Sequence, residues 1–279
     1  MPAVAFCLDD KLEYLILLRV AVRSLRQACG GDAPEVVCVY AGEDPAIIRG
    51  VEEENIILAR YRPVIDPETL PPSCRRAAGC FLKLELALVP ELAARETVLY
   101  CDTDVMFLHP PDELFALRPP YMAMARENTA PFFHQHESLS YAWRGNSYTV
   151  PMPFPIWTFS SGCVVFNLEK LRRHDYIHNF LAFSAQNAGR IGNLDQSLLN
   201  YFFGKRITKL ADCWNYPPYR GKTLERARIV HFHGPKPWDV RRPYFKDLRV
   251  KDYEQMRALW KSRLRPEEAV LVAGWEANN

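Results

Sequence analysis

Two aspartates that stand between apolar runs have the residue types and spacing of a metal site. Asp102-Thr103-Asp104 follows the apolar residues 98–101 and precedes the apolar residues 105–108. Charges in such a position are costly unless they are paired or bound to a cation. Their oxygens suit Mg²⁺ or Mn²⁺, which also bind phosphate. The triplet alone is a weak signal, since roughly 0.7 copies are expected by chance and a pair of turn or helix-cap aspartates is the alternative.

A second polar group follows an apolar run about 125 residues later. His231 lies at the end of that run, and its imidazole can supply a nitrogen ligand to the same cation, which favours Mn²⁺ over Mg²⁺. Gly234 allows the backbone to approach a phosphate closely, and Lys236 can neutralise diphosphate charge. His233 is better explained as a histidine that is not a ligand. The two groups together predict a site for a divalent cation and a phosphate-bearing ligand.

Apolar and amphipathic segments alternate along the chain, and these elements must position the polar groups. The predicted strands cover residues 4–8, 35–40, 55–58, 97–101, 121–125, 162–167 and 227–232. The predicted helices cover residues 14–25, 81–89, 168–183 and 194–203, with Asp9 or Asp10 as the cap of the first. This alternation predicts an α/β fold with a mainly parallel central sheet and helices on both faces.

Ligands bind such sheets beyond the carboxyl ends of the strands. The polar residues at these predicted ends are Asp9, Asp10, Asp102, Asp104 and His231. Their common placement predicts that they belong to one site.

Two segments depart from the alternation. Residues 126–160 are rich in Pro, His, Ser and aromatic residues, and a connection this long is usually functional or mobile. Basic and aromatic residues are mixed after position 240, so we predict a domain of residues 1–240 and a C-terminal appendage of residues 241–279. Residues 241–265 suit a weak peripheral contact with anionic lipid. A solvated helix is the alternative, because acidic residues dilute the charge.

The composition indicates a folded protein and gives no sign of a nucleic-acid-binding or membrane-spanning one. The 279 residues are 48% hydrophobic and carry a net charge of +2, which indicates a packed core and gives no sign of nucleic-acid binding. No apolar run approaches the roughly 20 residues of a membrane span, and no signal peptide is recognised, so we expect a cytoplasmic protein. The eight cysteines form no Cys-x-x-Cys pair, which favours buried thiols over a zinc site.

Several motifs, taken in order along the chain, resemble glycosyltransferase family 8, the family of glycogenin and the bacterial lipooligosaccharide galactosyltransferases. The matching segments are residues 6–14, 82–84, 102–104, 159–167, 193–200 and 231–238. The resemblance covers about residues 3–240 and implies a GT-A fold, in which residues 126–160 lie on the acceptor side. Side chains there that can stack on or hydrogen-bond a sugar are Phe132, Phe133, His134, His136, Trp143 and Trp157.

The resemblance also implies an activity, namely the transfer of a glucose- or galactose-type hexose from a UDP-sugar to a saccharide or other hydroxyl acceptor, with retention. Asp102, Asp104 and His231 would bind the metal. The residues implied to bind the UDP-sugar are Asp9, Asp10, Tyr14, Lys83, Asp102, Thr103, Ser160, Ser161, Gly234 and Lys236. Asp195 would orient the sugar hydroxyls and Gln196 would stabilise the cation-like centre. The departing phosphate would help to deprotonate an acceptor that attacks from the same face.

The sequence departs from the family pattern at three places. Ser160 replaces the usual Asn that touches the donor sugar, and Phe81 replaces an Arg, with Arg75 or Arg76 as substitutes. The spacing from His231 to Lys236 is one residue shorter than in glycogenin-like members.

Two other functions stay open. A sugar nucleotidyltransferase usually has a Gly-rich basic loop after its first strand, and residues 8–12 lack one. A non-catalytic sugar-nucleotide-binding protein is consistent with Ser160 and Phe81. Self-glycosylation is also consistent, and needs an acceptor Tyr that the sequence does not identify.

Overall fold

Eleven strands and nine α-helices form the part of the chain that the computed structural model describes. The described residues are 2–66, 78–127, 138–143, 146–151, 158–187, 194–218, 224–239 and 250–278. The strands are β1 (Ala3–Leu8), β2 (Glu35–Tyr40), β3 (Ile57–Arg60), β4 (Thr97–Cys101), β5 (Val105–Phe107), β6 (Met122–Arg126), β7 (Ser138–Trp143), β8 (Asn146–Pro151), β9 (Phe159–Asn167), β10 (Ile207–Leu210) and β11 (Ile229–His231).

The helices connect these strands and continue to the C-terminus. The α-helices are α1 (Leu12–Cys29), α2 (Pro45–Glu52), α3 (Ala78–Leu82), α4 (Asp112–Phe115), α5 (Leu168–Arg172), α6 (Tyr176–Asn187), α7 (Leu194–Phe203), α8 (Val250–Lys261) and α9 (Pro266–Asn278). Short 3₁₀ helices cover Gly30–Asp32, Lys83–Leu88, Pro90–Leu92, Arg173–Asp175, Gly204–Arg206, Asp212–Trp214 and Leu224–Arg226.

Seven strands form the central sheet in the order β10-β6-β9-β4-β1-β2-β3. Four of the six pairings are parallel, and β9 runs antiparallel to both of its neighbours. The prediction of a mainly parallel sheet is therefore confirmed. A separate antiparallel pair joins β5 to β11, and a hairpin joins β7 to β8.

Side chains alternate across the sheet, so that both of its faces are buried. Along β1, Ala3, Ala5 and Cys7 belong to the core on one face, which includes residues of α3 and α5–α7. Val4 and Phe6 belong to the core on the other face, which includes residues of α1 and α2. The prediction of helices on both faces is thereby confirmed.

The start of α1 differs from the prediction. Lys11 occupies the N-cap position and makes no side-chain capping bond, so the prediction of an aspartate cap is wrong. The Asp9 carboxylate instead accepts a hydrogen bond from the Gly79 N–H at 2.5 Å. The Asp10 carboxylate accepts one from the Tyr40 hydroxyl. Both carboxylates therefore hold neighbouring segments in place rather than the helix end.

Three other segments differ from the prediction in regularity, two of them less regular and one more regular. The predicted helix 81–89 is the end of α3 followed by the 3₁₀ helix Lys83–Leu88. The predicted helix 168–183 is interrupted at Asp175, whose φ of 55° is left-handed. The predicted loop 126–160 contains the hairpin β7–β8, whose Tyr, Trp, Thr and Val residues favour strands.

The C-terminal helices pack against the body of the protein. Tyr253, Met256 and Trp260 of α8 belong to one hydrophobic cluster with Ile16 and other residues of α1. Trp260 has no exposed surface. Basic side chains that pair with carboxylates here are Arg257 and Lys261, both with Glu276, and Arg265 with Glu54. No helix among the described residues has both the length and the apolar character of a membrane span.

A buried charge network attaches α9 to α1. Arg23 binds Glu268 through two hydrogen bonds of 2.5 and 2.8 Å, and it also binds Glu54. Arg19 lies 3.1 Å from both carboxylates. Burial opposes the charge of Glu268, but the hydrogen bonds from Arg23 and the Arg265 N–H outweigh burial and lower its pKa.

Glu268→Gln should lower the free energy of unfolding by about 2–3 kcal/mol at pH 7, because two arginines lose a buried carboxylate. The lowered pKa means that Glu268 stabilises the fold above the unfolded pKa of about 4.5 and that this stabilisation is lost as pH falls through the folded pKa. The variant and the wild type should therefore converge in acid. Urea unfolding at pH 7 and at about pH 2, below the folded pKa, measures this difference.

Glu53→Gln is the matched control, because Glu53 also pairs with Arg19 but its side chain is 58% exposed. Its loss should cost less than about 1 kcal/mol. Equal stabilities of Glu268→Gln and wild type at pH 7 would refute this assignment.

Candidate active site

Three potential metal ligands converge where β4, β5 and β11 meet. Asp102 follows β4, Asp104 precedes β5, and His231 is the last residue of β11. The pairing of β11 with β5 aligns His231 with Val105, and the Phe232 N–H donates to the Asp104 carbonyl at 2.9 Å. One ligand atom from each of the three residues lies within 4.8 Å of the others. The predicted cluster of two carboxylates and one imidazole is therefore present.

The imidazole of His231 is held from two sides. Its Nδ1 lies 2.8 Å from the Asn215 Oδ1, which leaves Nε2 directed toward Asp104 Oδ1 at 3.1 Å and Asp102 Oδ2 at 3.6 Å. A Cβ at Gly162 would lie only 2.0 Å from the ring, so glycine is needed where the imidazole crosses β9. An acceptor on one imidazole nitrogen fixes the tautomer that presents the other nitrogen to a metal.

Asp104 is buried and stays charged because Lys236 and His231 contact its carboxylate. Lys236 Nζ lies 2.5 Å from Asp104 Oδ2. Burial alone would raise the pKa of Asp104, but Lys236 and His231 hold that pKa well below its ordinary value. Burial opposes the charge of Lys236, yet Asp104 raises the pKa of this ammonium. Two carboxylates and one imidazole suit Mn²⁺ or Mg²⁺, so the donor set fits a divalent cation.

Lys83 joins the metal-site carboxylates to a second acidic residue. Its ammonium is buried and lies 2.7 Å from Asp102 and 2.9 Å from Asp195. Burial disfavours the charge, but the two carboxylates raise the pKa of Lys83 above its ordinary value. Tyr100 also donates to Asp102 at 2.6 Å, and its ring lies below the ammonium. The Lys83 ammonium therefore links the Asp102 and Asp195 carboxylates.

Asp195 and Gln196 lie at the start of α7 and face β9. Ser161 donates from its hydroxyl to Asp195 at 2.7 Å and from its N–H to Gln196 Oε1 at 3.2 Å. Burial raises the pKa of Asp195, while Lys83 and Ser161 favour its charged form. Both predicted catalytic side chains are thus connected to the metal ligands through Ser161 and Lys83. Ser160, the residue before Ser161 on β9, is also buried.

A cavity opens onto this network. The predicted residues on its wall are Asp9, Tyr14, Asp102, Thr103, Asp104 and Lys236. Burial raises the pKa of Asp9. Gly234 has a φ of 87° and so turns the backbone ahead of Lys236 in a conformation that favours glycine. Asp10 is exposed beside Tyr40 and is not among the residues that line the cavity.

His233 lies outside the ligand cluster. Its ring centroid is 5.1 Å from that of His231, and its Nε2 lies 3.6 Å from Glu127. Burial lowers the pKa of His233 to about 4, which keeps the imidazole neutral.

Some residues of the site carry no signal in the sequence. Asn215 and Tyr100 orient the metal-site side chains, and Gly79 and Cys80 line the cavity. Asn215 lies in an irregular segment, so no periodicity marks it. Several residues that the sequence suggests as ligand contacts lie outside the described part of the chain: Arg75, Arg76, Phe132, Phe133, His134, His136 and Trp157.

The seven-stranded, mainly parallel sheet with helices on both faces matches the GT-A fold of solved glycosyltransferase structures. Residues 3–241 match the family described as Glycosyl transferase family 8, and the chain belongs to this family. None of the curated proteins matches the chain in sequence comparison.

Solved structures show the same fold at low sequence identity. The galactosyltransferase LgtC, in complex with donor and acceptor sugar analogues, is 18% identical with a TM-score of 0.63, over 94% of this chain and 100% of that chain. GlyE of Streptococcus pneumoniae TIGR4 is 18% identical with a TM-score of 0.62, over 99% and 63%. Mouse xyloside xylosyltransferase 1 is 15% identical with a TM-score of 0.55, over 84% and 97%.

Asn215→Ala should weaken Mn²⁺ binding about 10- to 100-fold, because His231 loses the contact that orients it. Isothermal titration calorimetry with Mn²⁺ measures the effect. Asn187→Ala is a matched control, since this buried Asn donates to the Phe183 carbonyl on α6. An unchanged Mn²⁺ affinity in Asn215→Ala would exclude a role for Asn215 in the metal site.

Proposed function

We propose that this chain transfers a hexose from a UDP-sugar to a saccharide or other hydroxyl acceptor, with retention at the anomeric carbon. Asp102, Asp104 and His231 would bind Mn²⁺ or Mg²⁺. The observation that carries the proposal is the cluster of these three ligands, of which Asp102 and Asp104 line one cavity together with Lys236. Family membership supports it, as does the likeness to a galactosyltransferase whose structure contains donor and acceptor sugar analogues.

Negative charge on the leaving diphosphate is the first requirement of the reaction. A bound divalent cation supplies Lewis-acid stabilisation of that charge. Lys236 supplies a second positive charge, and its flexible side chain can exchange the Asp104 carboxylate for a phosphate oxygen. The Lys236 ammonium is therefore already at the site before the donor binds. This limits the reorganisation needed during the reaction.

The cation-like sugar centre is the second requirement. Asp195 is anchored by Ser161 and Lys83, so its carboxylate can orient sugar hydroxyls without moving. The amide oxygen of Gln196 can stabilise positive charge, but an amide is a poor nucleophile. We therefore favour attack by the acceptor from the same face, with the departing phosphate oxygen taking the acceptor proton.

Sugar-nucleotide binding without transfer is the second candidate. Phe81 stands where the family resemblance led us to expect a cationic residue, and its side chain is buried in the hydrophobic core. Turnover of a UDP-sugar would exclude this function. A sugar nucleotidyltransferase would release pyrophosphate rather than UDP.

The proposal also covers two segments outside the metal-ligand cluster and the location of the protein. Residues 126–160 would contribute to acceptor binding, and the protein would act in the cytoplasm. Residues 241–265 would make at most a weak peripheral contact with the inner membrane face, because Arg257, Lys261 and Arg265 already pair with carboxylates.

With a panel of UDP-, GDP- and ADP-hexoses and Mn²⁺, the wild type should release nucleotide mainly from UDP-sugars. Asp104→Ala and His231→Ala should lower this rate at least 100-fold, as expected when charge stabilisation of the leaving group is removed. Nucleotide release with and without EDTA is the measurement.

Asp32→Ala, which changes an exposed aspartate outside the site, should keep full activity. Full activity of both site variants in the presence of EDTA would show that the proposed metal site is wrong.

A further inference from the structure

The loop of residues 234–239 carries the Lys236 ammonium to Asp104. Within the loop, the Asp239 N–H donates to the Lys236 carbonyl at 2.8 Å, and the Asp239 carboxylate accepts from the Lys236 N–H at 2.7 Å. These bonds close a turn, but they do not attach that turn to the rest of the protein. Its position relative to Asp104 must come from other contacts.

Helix α8 supplies those contacts. The Tyr253 hydroxyl donates to the Lys236 carbonyl at 2.5 Å, and Arg257 Nε donates to the Pro237 carbonyl at 2.8 Å. Trp238 packs edge-on against Trp260 and Trp275, with ring centroids 6.0 and 5.0 Å apart. Two consecutive carbonyls and the next side chain of the loop are thus bound to the C-terminal helices.

The helix that makes these contacts is itself fixed. Tyr253 is 2% exposed, and the Arg257 guanidinium is held by Glu276 of α9 at 2.8 Å. Helix α9 is bound to α1 through Glu268 and Arg23. The loop is therefore connected to α1, whose Tyr14 lies on the wall of the same cavity.

We infer that Tyr253 and Arg257 are positioning residues that hold the backbone of Lys236 so that its ammonium meets the donor diphosphate. This inference rests on the proposed function. A fixed backbone restricts the lysine to side-chain rotation, so less conformational entropy is lost when it binds phosphate. The C-terminal segment then contributes to donor affinity although neither residue touches the donor.

Tyr253→Phe and Arg257→Gln should each weaken UDP binding in the presence of Mn²⁺ by about three- to tenfold, the usual effect of one hydrogen bond. Uridine has no phosphate, so its affinity should not change. Isothermal titration calorimetry with UDP and with uridine gives the two values. Equal losses for both ligands would indicate general damage to the cavity and would overturn the inference.

Lys261→Gln is the matched control for Arg257→Gln. Lys261 lies one turn further along α8 and pairs with the same Glu276 carboxylate, while the loop carbonyl is bound by Arg257. This control should keep UDP affinity within twofold of wild type. A loss equal to that of Arg257→Gln would assign the effect to Glu276 and overturn the inference.

A double-mutant cycle tests whether Tyr253 acts through Lys236. In a Lys236→Met background, Tyr253→Phe should have no further effect on UDP affinity, because the group that it positions is absent. An undiminished effect would overturn the inference. Wild type that binds no UDP would instead refute the proposed function, so the two failures are distinguishable. Thermal unfolding of each variant verifies that it is folded.

Discussion

A buried carboxylate must have positive partners, and the site is built around this constraint at Asp104. Its side chain is 8% exposed, and Lys236 and His231 are the groups that keep it ionised. Asp102 is paired with Lys83 in the same way. Lys83, His231 and Lys236 each come from a different part of the chain. The folding of those parts onto the sheet therefore decides whether the acidic residues can form a stable site.

Several elements of the fold position the side chains of the site. Strand β4 delivers Asp102, and the β5–β11 pair places His231 next to Asp104. The 3₁₀ helix Lys83–Leu88 brings Lys83 between Asp102 and Asp195. The C-terminal helices fix the loop that carries Lys236. Opposite charges are thus brought together by distant elements, and the resulting cluster has the donor set of a divalent-cation site.

Local signals in the sequence predicted much of this arrangement. Strands β2 and β4 and helix α7 begin and end where apolar pattern and turn residues place them. The metal-ligand cluster was predictable because strand ends carry ligands in such sheets. Contacts between distant segments were not predictable. The Asn215 bond to His231, the space at Gly162 and the Gly79 bond that takes Asp9 away from helix capping all depend on tertiary packing.

The most direct test of a shared metal and diphosphate site is the affinity for Mn²⁺ with and without saturating UDP, corrected for association of the two in buffer. If Asp102, Asp104 and His231 hold a cation against the diphosphate, UDP should tighten Mn²⁺ binding about tenfold or more, and Mn²⁺ should tighten UDP binding by the same factor. Asp104→Ala should abolish this coupling. An equal Mn²⁺ affinity in the presence and absence of UDP would contradict a common site.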